Sequence, residues 1–217
     1  MEKSQHPDQV TITLVNKIEK ISSSSFVNGA KYQEEREELI ACMMAYGLRK
    51  VTKKEWFILK PPQQDSSDFI LTSMSNDIND DNPFERASFQ QVELPTRIAV
   101  LNDKLGEIKK IIDKKFGKYS DEHKLRLLIF INFENSHLFQ KEIIAYVRKK
   151  QEEGGKFIDV WLFALTASSL IKGYTFRITR AFPIKYYDSF TANLVDEFNK
   201  GIIYDDPRFK KFLIKSP

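Results

Sequence analysis

Trp56-Phe57-Ile58-Leu59-Lys60-Pro61-Pro62, Asp68-Phe69-Ile70-Leu71-Thr72 and Phe89-Gln90-Gln91-Val92-Glu93-Leu94-Pro95 are the segments on which the fold of this chain turns. Each is a short run rich in aromatic and aliphatic residues, bounded by turn formers, and each predicts a strand. Ser73–Ala87 reads as the loop between the second and third. Two such runs joined by a loop pair antiparallel more simply than through a crossover. Pro95 cannot donate to a ladder, so the third strand ends there. Asp68 and Glu93 both stand at the edges of apolar sequence, and a carboxylate in that setting requires a reason.

Upstream, Val10, Leu14, Ile18 and Ile21 recur at helical spacing behind Asp8, with a strand through Ile12 as the competing reading. Ser22–Ser25 is a polar joint. Asn28 is placed to cap a long helix running to about Arg49, whose first turns carry Glu34, Glu35, Glu37 and Glu38. Acidic residues suit the positive end of a helix, which accounts for that run without further function. Leu39–Leu48 is apolar and packs, and Cys42 reads as a buried thiol.

Downstream, Asn102 or Asp103 caps a helix with Leu101, Leu105, Ile108, Ile112 and Phe116 on one side and lysines on the others. Leu125–Phe133 is a near-continuous apolar strand, as in a sheet covered on both faces. Ser136 opens a helix carrying Phe139, Ile143 and Val147, and Phe157–Leu165 is a second buried strand, so a parallel crossover is expected. Ala167–Ile171 predicts a short helical turn, Tyr174–Thr179 a half-buried strand, Tyr187–Phe198 an amphipathic helix and Phe209–Leu213 a terminal one.

Hydrophobic residues make up 41% and charged residues 29% of the 217, the balance of a globular protein with ample length for a core. One cysteine excludes an intrachain disulfide and a multi-thiolate zinc site, and a reducing compartment fits. No signal peptide is visible and the longest apolar runs are too short for a bilayer, so a cytoplasmic protein without membrane contact is expected. The net charge of +4 is compatible with an anionic partner. Asp77, Asn79 and Asp81 have the spacing that opens a calcium loop, but Asn82 and Ser88 replace its glycine and closing glutamate. His6, His123 and His137 are not spaced as ligands, and neither a Walker loop nor a Gly-x-Ser-x-Gly elbow occurs.

The order helix, three strands, helix, strand, helix, strand, with a carboxylate opening the second strand and another in the third, resembles the PD-(D/E)XK, or restriction-endonuclease-like, nucleases. The resemblance covers 28–165, within a single α/β domain in which 1–27 form an N-terminal helix and joint and 166–217 an extension. It implies a central mixed sheet flanked by helices, a hydrolase acting on phosphodiesters, Mg²⁺ as cofactor and DNA or RNA as partner. Carried over, Asp68 and Glu93 bind the metal, with Glu35 or Glu38 as the helical carboxylate. The motif departs from the family's pattern in two places: Ser67 precedes Asp68, and Pro95 stands where the lysine belongs. Thr96, Arg97 or Lys104 can substitute, with no spacing to select among them; Lys104 completes the expected catalytic set of Asp68, Glu93 and Lys104. The plain alternatives are that Asp68 is a turn residue, that Glu93 points to solvent, and that the chain is a catalytically inactive binding or assembly module.

Overall fold

The apolar runs at Leu125–Ile131 (β5) and Val160–Ser169 (β6) form the parallel centre of one mixed sheet. A computed structural model describes residues 4–18, 20–21, 23–52, 54–62, 65–74, 84–118, 125–133, 139–169, 173–183 and 189–193 of the chain. Ahead of the centre come Ser4–Gln5 (β1), Glu55–Leu59 (β2), Phe69–Met74 (β3) and Phe84–Leu94 (β4); behind it come Gly173–Phe182 (β7) and Ser189–Asn193 (β8). Each strand lies beside its neighbours in sequence. The pairings β4–β5 and β5–β6 are parallel and the rest antiparallel, so the protein is an α/β fold with a mixed sheet.

The alternation of buried side chains divides the core in two. Leu128, Phe130, Trp161 and Phe163 point to one face, where Pro7–Ile18 (α1), Ser23–Asn28 (α2) and Gln33–Thr52 (α3) pack through Leu14, Phe26 and the apolar half of α3. Leu127, Ile129, Ile131 and Leu162 point to the other, beneath Ile108 and Ile112 of Lys104–Phe116 (α4) and Ile143 and Val147 of Gln140–Glu152 (α5). Helices on both faces are the reason β5 reads as an unbroken apolar run. Asp103 caps α4, accepting from the Gly106 N–H at 2.8 Å. No helix among the described residues is long and apolar enough to cross a membrane.

Several boundaries differ from expectation. Asn28 does not cap the long helix: it ends α2, and a 3-10 turn at Ala30–Tyr32 precedes α3. The chain bends at Gly29, where a Cβ would lie 2.6 Å from the Ser25 carbonyl, so only glycine allows the approach. The third strand begins at Phe84 rather than Phe89, because Phe84–Phe89 pair along the whole of β3, with Ala87 in the core and Glu85 within reach of Lys54 and Arg126. Of the helical turn expected over Ala167–Ile171, the described part is strand: β6 continues through Ser169, paired with β7 across a register shift between Leu165 and Ala167, and 170–171 lie outside the described residues. Helix was expected over Tyr187–Phe198, yet Ser189–Asn193 pairs with Thr175–Thr179. In both places ladder hydrogen bonds offered by β7 override a weak local preference. The calcium-like Asp77–Asp81 segment, His123, Ser136, His137 and the terminal Phe209–Leu213 lie outside the described residues.

Candidate functional site

β3 begins opposite Phe89, short of the end of β4 at Leu94, and that offset creates the site. Phe69 stands opposite Phe89, their rings stacked with centroids 4.8 Å apart, and the Asp68 N–H closes the ladder on the Phe89 carbonyl at 2.8 Å. Gln91–Leu94 run on without a β3 partner. The Asp68 carboxylate caps the first N–H left over, that of Gln91, through Oδ2. Gln91 and Glu93 share the face that carries Phe89, under the N-terminal turns of α3. Glu93 lies two residues past Gln91, roughly 7 Å along the strand. The notch therefore sits at the carboxyl ends of β4 and β5, where ligands of open α/β sheets bind.

Four side chains close on it, two from α3, one from α4 and one from just past β5. Arg36 of α3 is buried; its Nη1 donates to the carbonyls of Phe26 (2.9 Å) and Gly29 (2.8 Å), and its Nε and Nη2 reach Glu93 Oε2 at 3.4 and 3.3 Å. Asn132, just past β5, donates to Glu93 Oε1 at 2.6 Å. Lys115, in the last turn of α4, sets its ammonium 3.6 Å from Asp68 Oδ2. Glu37, the next residue on α3, lies near enough to Asp68 and Glu93 for their charges to act on it, and accepts from Gln33 at 2.9 Å. Because the sheet stops short here, α3 on one face and α4 on the other contribute to the same notch.

The charges perturb one another. Burial raises the Glu37 carboxyl above its ordinary value; the Gln33 hydrogen bond opposes this, and the negative charges of Asp68, Glu34 and Glu93 add to it. Burial lowers the Lys115 ammonium below its ordinary value, while Asp68 pulls it back and Lys118 adds to the lowering. An acid shifted up and a base shifted down in one cleft is the pattern of a site whose protonation states are tuned. The buried Gln91 Oε1 has no hydrogen-bond partner among the described residues.

Of the residues expected from sequence, Asp68 and Glu93 come to the notch. Glu35 does not join them: it pairs with Lys17 of α1 at 3.6 Å, and Glu38 is exposed. Lys104 opens α4, eleven residues before Lys115, or about 16 Å away along the axis. Asp68 is more than a turn residue, since its carboxylate makes both a backbone cap and an ion pair, and Glu93 points inward to Arg36 and Asn132. Sequence reasoning missed Glu37, Arg36, Lys115 and Asn132. Asn132 alone carried a signal, as a polar residue directly after a buried strand at its carboxyl end. Among the described residues no three His, Cys, Asp or Glu side chains gather into a group able to hold a metal ion. Comparison with protein-family models, with curated proteins and with solved structures finds no match to this chain.

Proposed function

We propose that this chain is a nuclease-like domain of the PD-(D/E)XK kind whose notch acts on nucleic-acid phosphodiesters, with Lys115 in place of the motif lysine. The observation that carries the reading is the convergence of Asp68, Glu37 and Lys115 from three elements on one notch beside the carboxyl ends of parallel strands. The run α3, β2, β3, β4, α4, β5, α5, β6 is the element order the resemblance implies, which supports the finer fold assignment. On this reading the hydrogen bond from the Gln91 N–H to Asp68 favours Gln91 for the position of the motif's acidic residue and Glu93 for that of its lysine.

The donor set fits Mg²⁺ in part. Among the described residues the polar contacts of Asp68's carboxylate fall on Oδ2 and none on Oδ1. Gln91 Oε1 is an unsatisfied buried carbonyl oxygen, and Glu37 adds a second carboxylate. Mg²⁺ asks for one or two carboxylates and keeps waters and phosphate oxygens as its other ligands. Glu93 does not fit, because Arg36 and Asn132 already occupy its oxygens. A bound ion supplies charge for the phosphate and a more acidic water. Lys115, as the ammonium, offsets negative charge developing on the phosphate, and the proton of the attacking water passes to a carboxylate. Glu37, held above its ordinary value, is the group placed to take up that proton.

The same Arg36–Glu93–Asn132 cluster favours a second reading, in which the fold is kept for binding and the chemistry is gone. Incubation with supercoiled plasmid and labelled DNA and RNA oligonucleotides in Mg²⁺ or Mn²⁺ separates the two. The catalytic reading expects cleavage that Asp68→Asn abolishes and Lys115→Met slows by roughly 10²-fold. Equal cleavage by wild type and Asp68→Asn, or none under any of these conditions, removes it.

A further inference from the structure

The basic charge of the chain is concentrated on the two helices that cover one face of the sheet. α4 and α5 carry nine Lys and Arg against four Asp and Glu, while the whole chain has a net charge of +4, so the remainder is close to neutral. Lys110 and Lys114, four residues apart, are exposed on one face of α4 with a spacing of about 6 Å, and Lys118 is exposed in the turn just past the end of the helix. Lys149 stands 71% exposed on α5. Acids within this surface are engaged locally: Asp113 accepts from the Tyr146 hydroxyl at 2.6 Å and lies 3.0 Å from the Lys150 ammonium, while Glu107 and Glu153 lie 3.9 and 3.7 Å from the Lys110 and Lys149 ammoniums in pairs exposed enough for a phosphate to replace. Lys109 and Lys150 both lie over the Tyr146 ring, 5.3 and 5.6 Å from its centroid, which fixes two cations in place.

We infer that the outer face of α4 and α5 is a phosphate-backbone track for nucleic acid, leading to the notch along the turn of α4 that holds Lys115. The identity of the partner rests on the phosphodiester reading; the surface itself rests on charge. A row of cations about 6 Å apart suits a polyanion with regularly spaced phosphates. An anionic membrane suits it less. The apolar residues Ile108, Ile112, Ile143 and Val147 are buried beneath the helices, and the large exposed hydrophobics among the described residues, Val100, Leu101 and Ile158, lie off both.

The test is fluorescence anisotropy of duplex and single-stranded DNA and of RNA against the full chain, in EDTA, over a range of salt. Binding is expected, with log Kd linear in log salt. The variant Lys110→Gln/Lys114→Gln/Lys149→Gln is expected to flatten that slope by about 2 to 3 on duplex DNA, near one unit for each phosphate contact removed. Lys17→Gln, on α1 at the opposite face, is expected to leave it unchanged. An unaltered slope in the triple variant overturns the track, as does wild-type binding to phosphatidylcholine–phosphatidylserine vesicles as tight as to DNA. Circular dichroism of the triple variant excludes misfolding as the cause of any loss. Cleavage by wild type together with an unaltered slope sinks the track and leaves the notch reading standing. A flattened slope without cleavage sinks the catalytic reading and leaves the track.

Discussion

Replacing Arg36 with methionine removes the cation that ties α2, the Gly29 bend and Glu93 together. The change keeps much of the side chain's length and apolar stem while deleting two hydrogen bonds to backbone carbonyls and the contact to Glu93 Oε2. Deleting one member of a buried ion pair typically costs 3–5 kcal/mol, because the other charge stays desolvated. The Glu93 side chain is 21% exposed and retains Asn132, so the lower end applies, about 3 kcal/mol. For a chain of this size that lowers Tm by roughly 6–12 °C. Urea unfolding followed by tryptophan fluorescence measures it, since both reporters, Trp56 and Trp161, are fully buried. The midpoint is expected to fall with the denaturant slope unchanged. Arg36→Met/Glu93→Met, which removes both charges, is expected to recover most of the loss. A single-variant loss under about 1 kcal/mol, the figure for a solvent-exposed pair, refutes the anchoring role.

Glu37→Gln tests the tuned acid. The folded carboxyl sits above its ordinary value, so the folded chain keeps a proton that the unfolded chain releases. The stability this group contributes is full below the ordinary carboxylate range and is lost as pH rises through the folded value. The variant is therefore expected to match wild type in acid, to exceed it at neutral pH, and to show a flatter dependence between; equal curves in urea melts taken across that range contradict the shift. At the start of α4, Asp103→Ala is expected to cost about 1 kcal/mol through loss of the cap to Gly106. A Cβ on Gly106 would stand 2.0 Å from Asp103 Oδ2, so Gly106→Ala is expected to destabilise wild type but to stabilise the Asp103→Ala background by up to about 1 kcal/mol, and additivity in the double-mutant cycle counts against that geometry.

The central sheet was legible because its signals are local. Leu125–Ile131 and Val160–Ala164 are apolar on both faces, and only a covered parallel strand is so. The antiparallel pairing of β3 with β4, the Asp103 cap and the lysine-bearing helix behind it also follow from near-neighbour chemistry. Helix phase was not legible. Glu34, Glu35, Glu37 and Glu38 are equivalent until the first turn is fixed, and the bend at Gly29 moved that start from Asn28 to Gln33. The phase observed turns Glu35 to Lys17 of α1 and brings Glu37, rather than Glu35 or Glu38, to the side of Asp68 and Glu93. Lys115 stands 47 positions from Asp68, and only the short start of β3 opens the sheet enough for α4 to reach it. Arg36, flanked by glutamates, looks solvated in sequence; its burial depends on carbonyls of Phe26 and Gly29 that no motif records.

The claim that the notch is a cation-assisted phosphodiester site is tested most directly by electron paramagnetic resonance of the full chain titrated with Mn²⁺. One bound ion per chain is expected, lost in Asp68→Asn, weakened in Glu37→Gln and retained in Glu35→Gln. No bound ion, or binding indifferent to Asp68 and Glu37, contradicts it and leaves Arg36 as the permanent cation of the site.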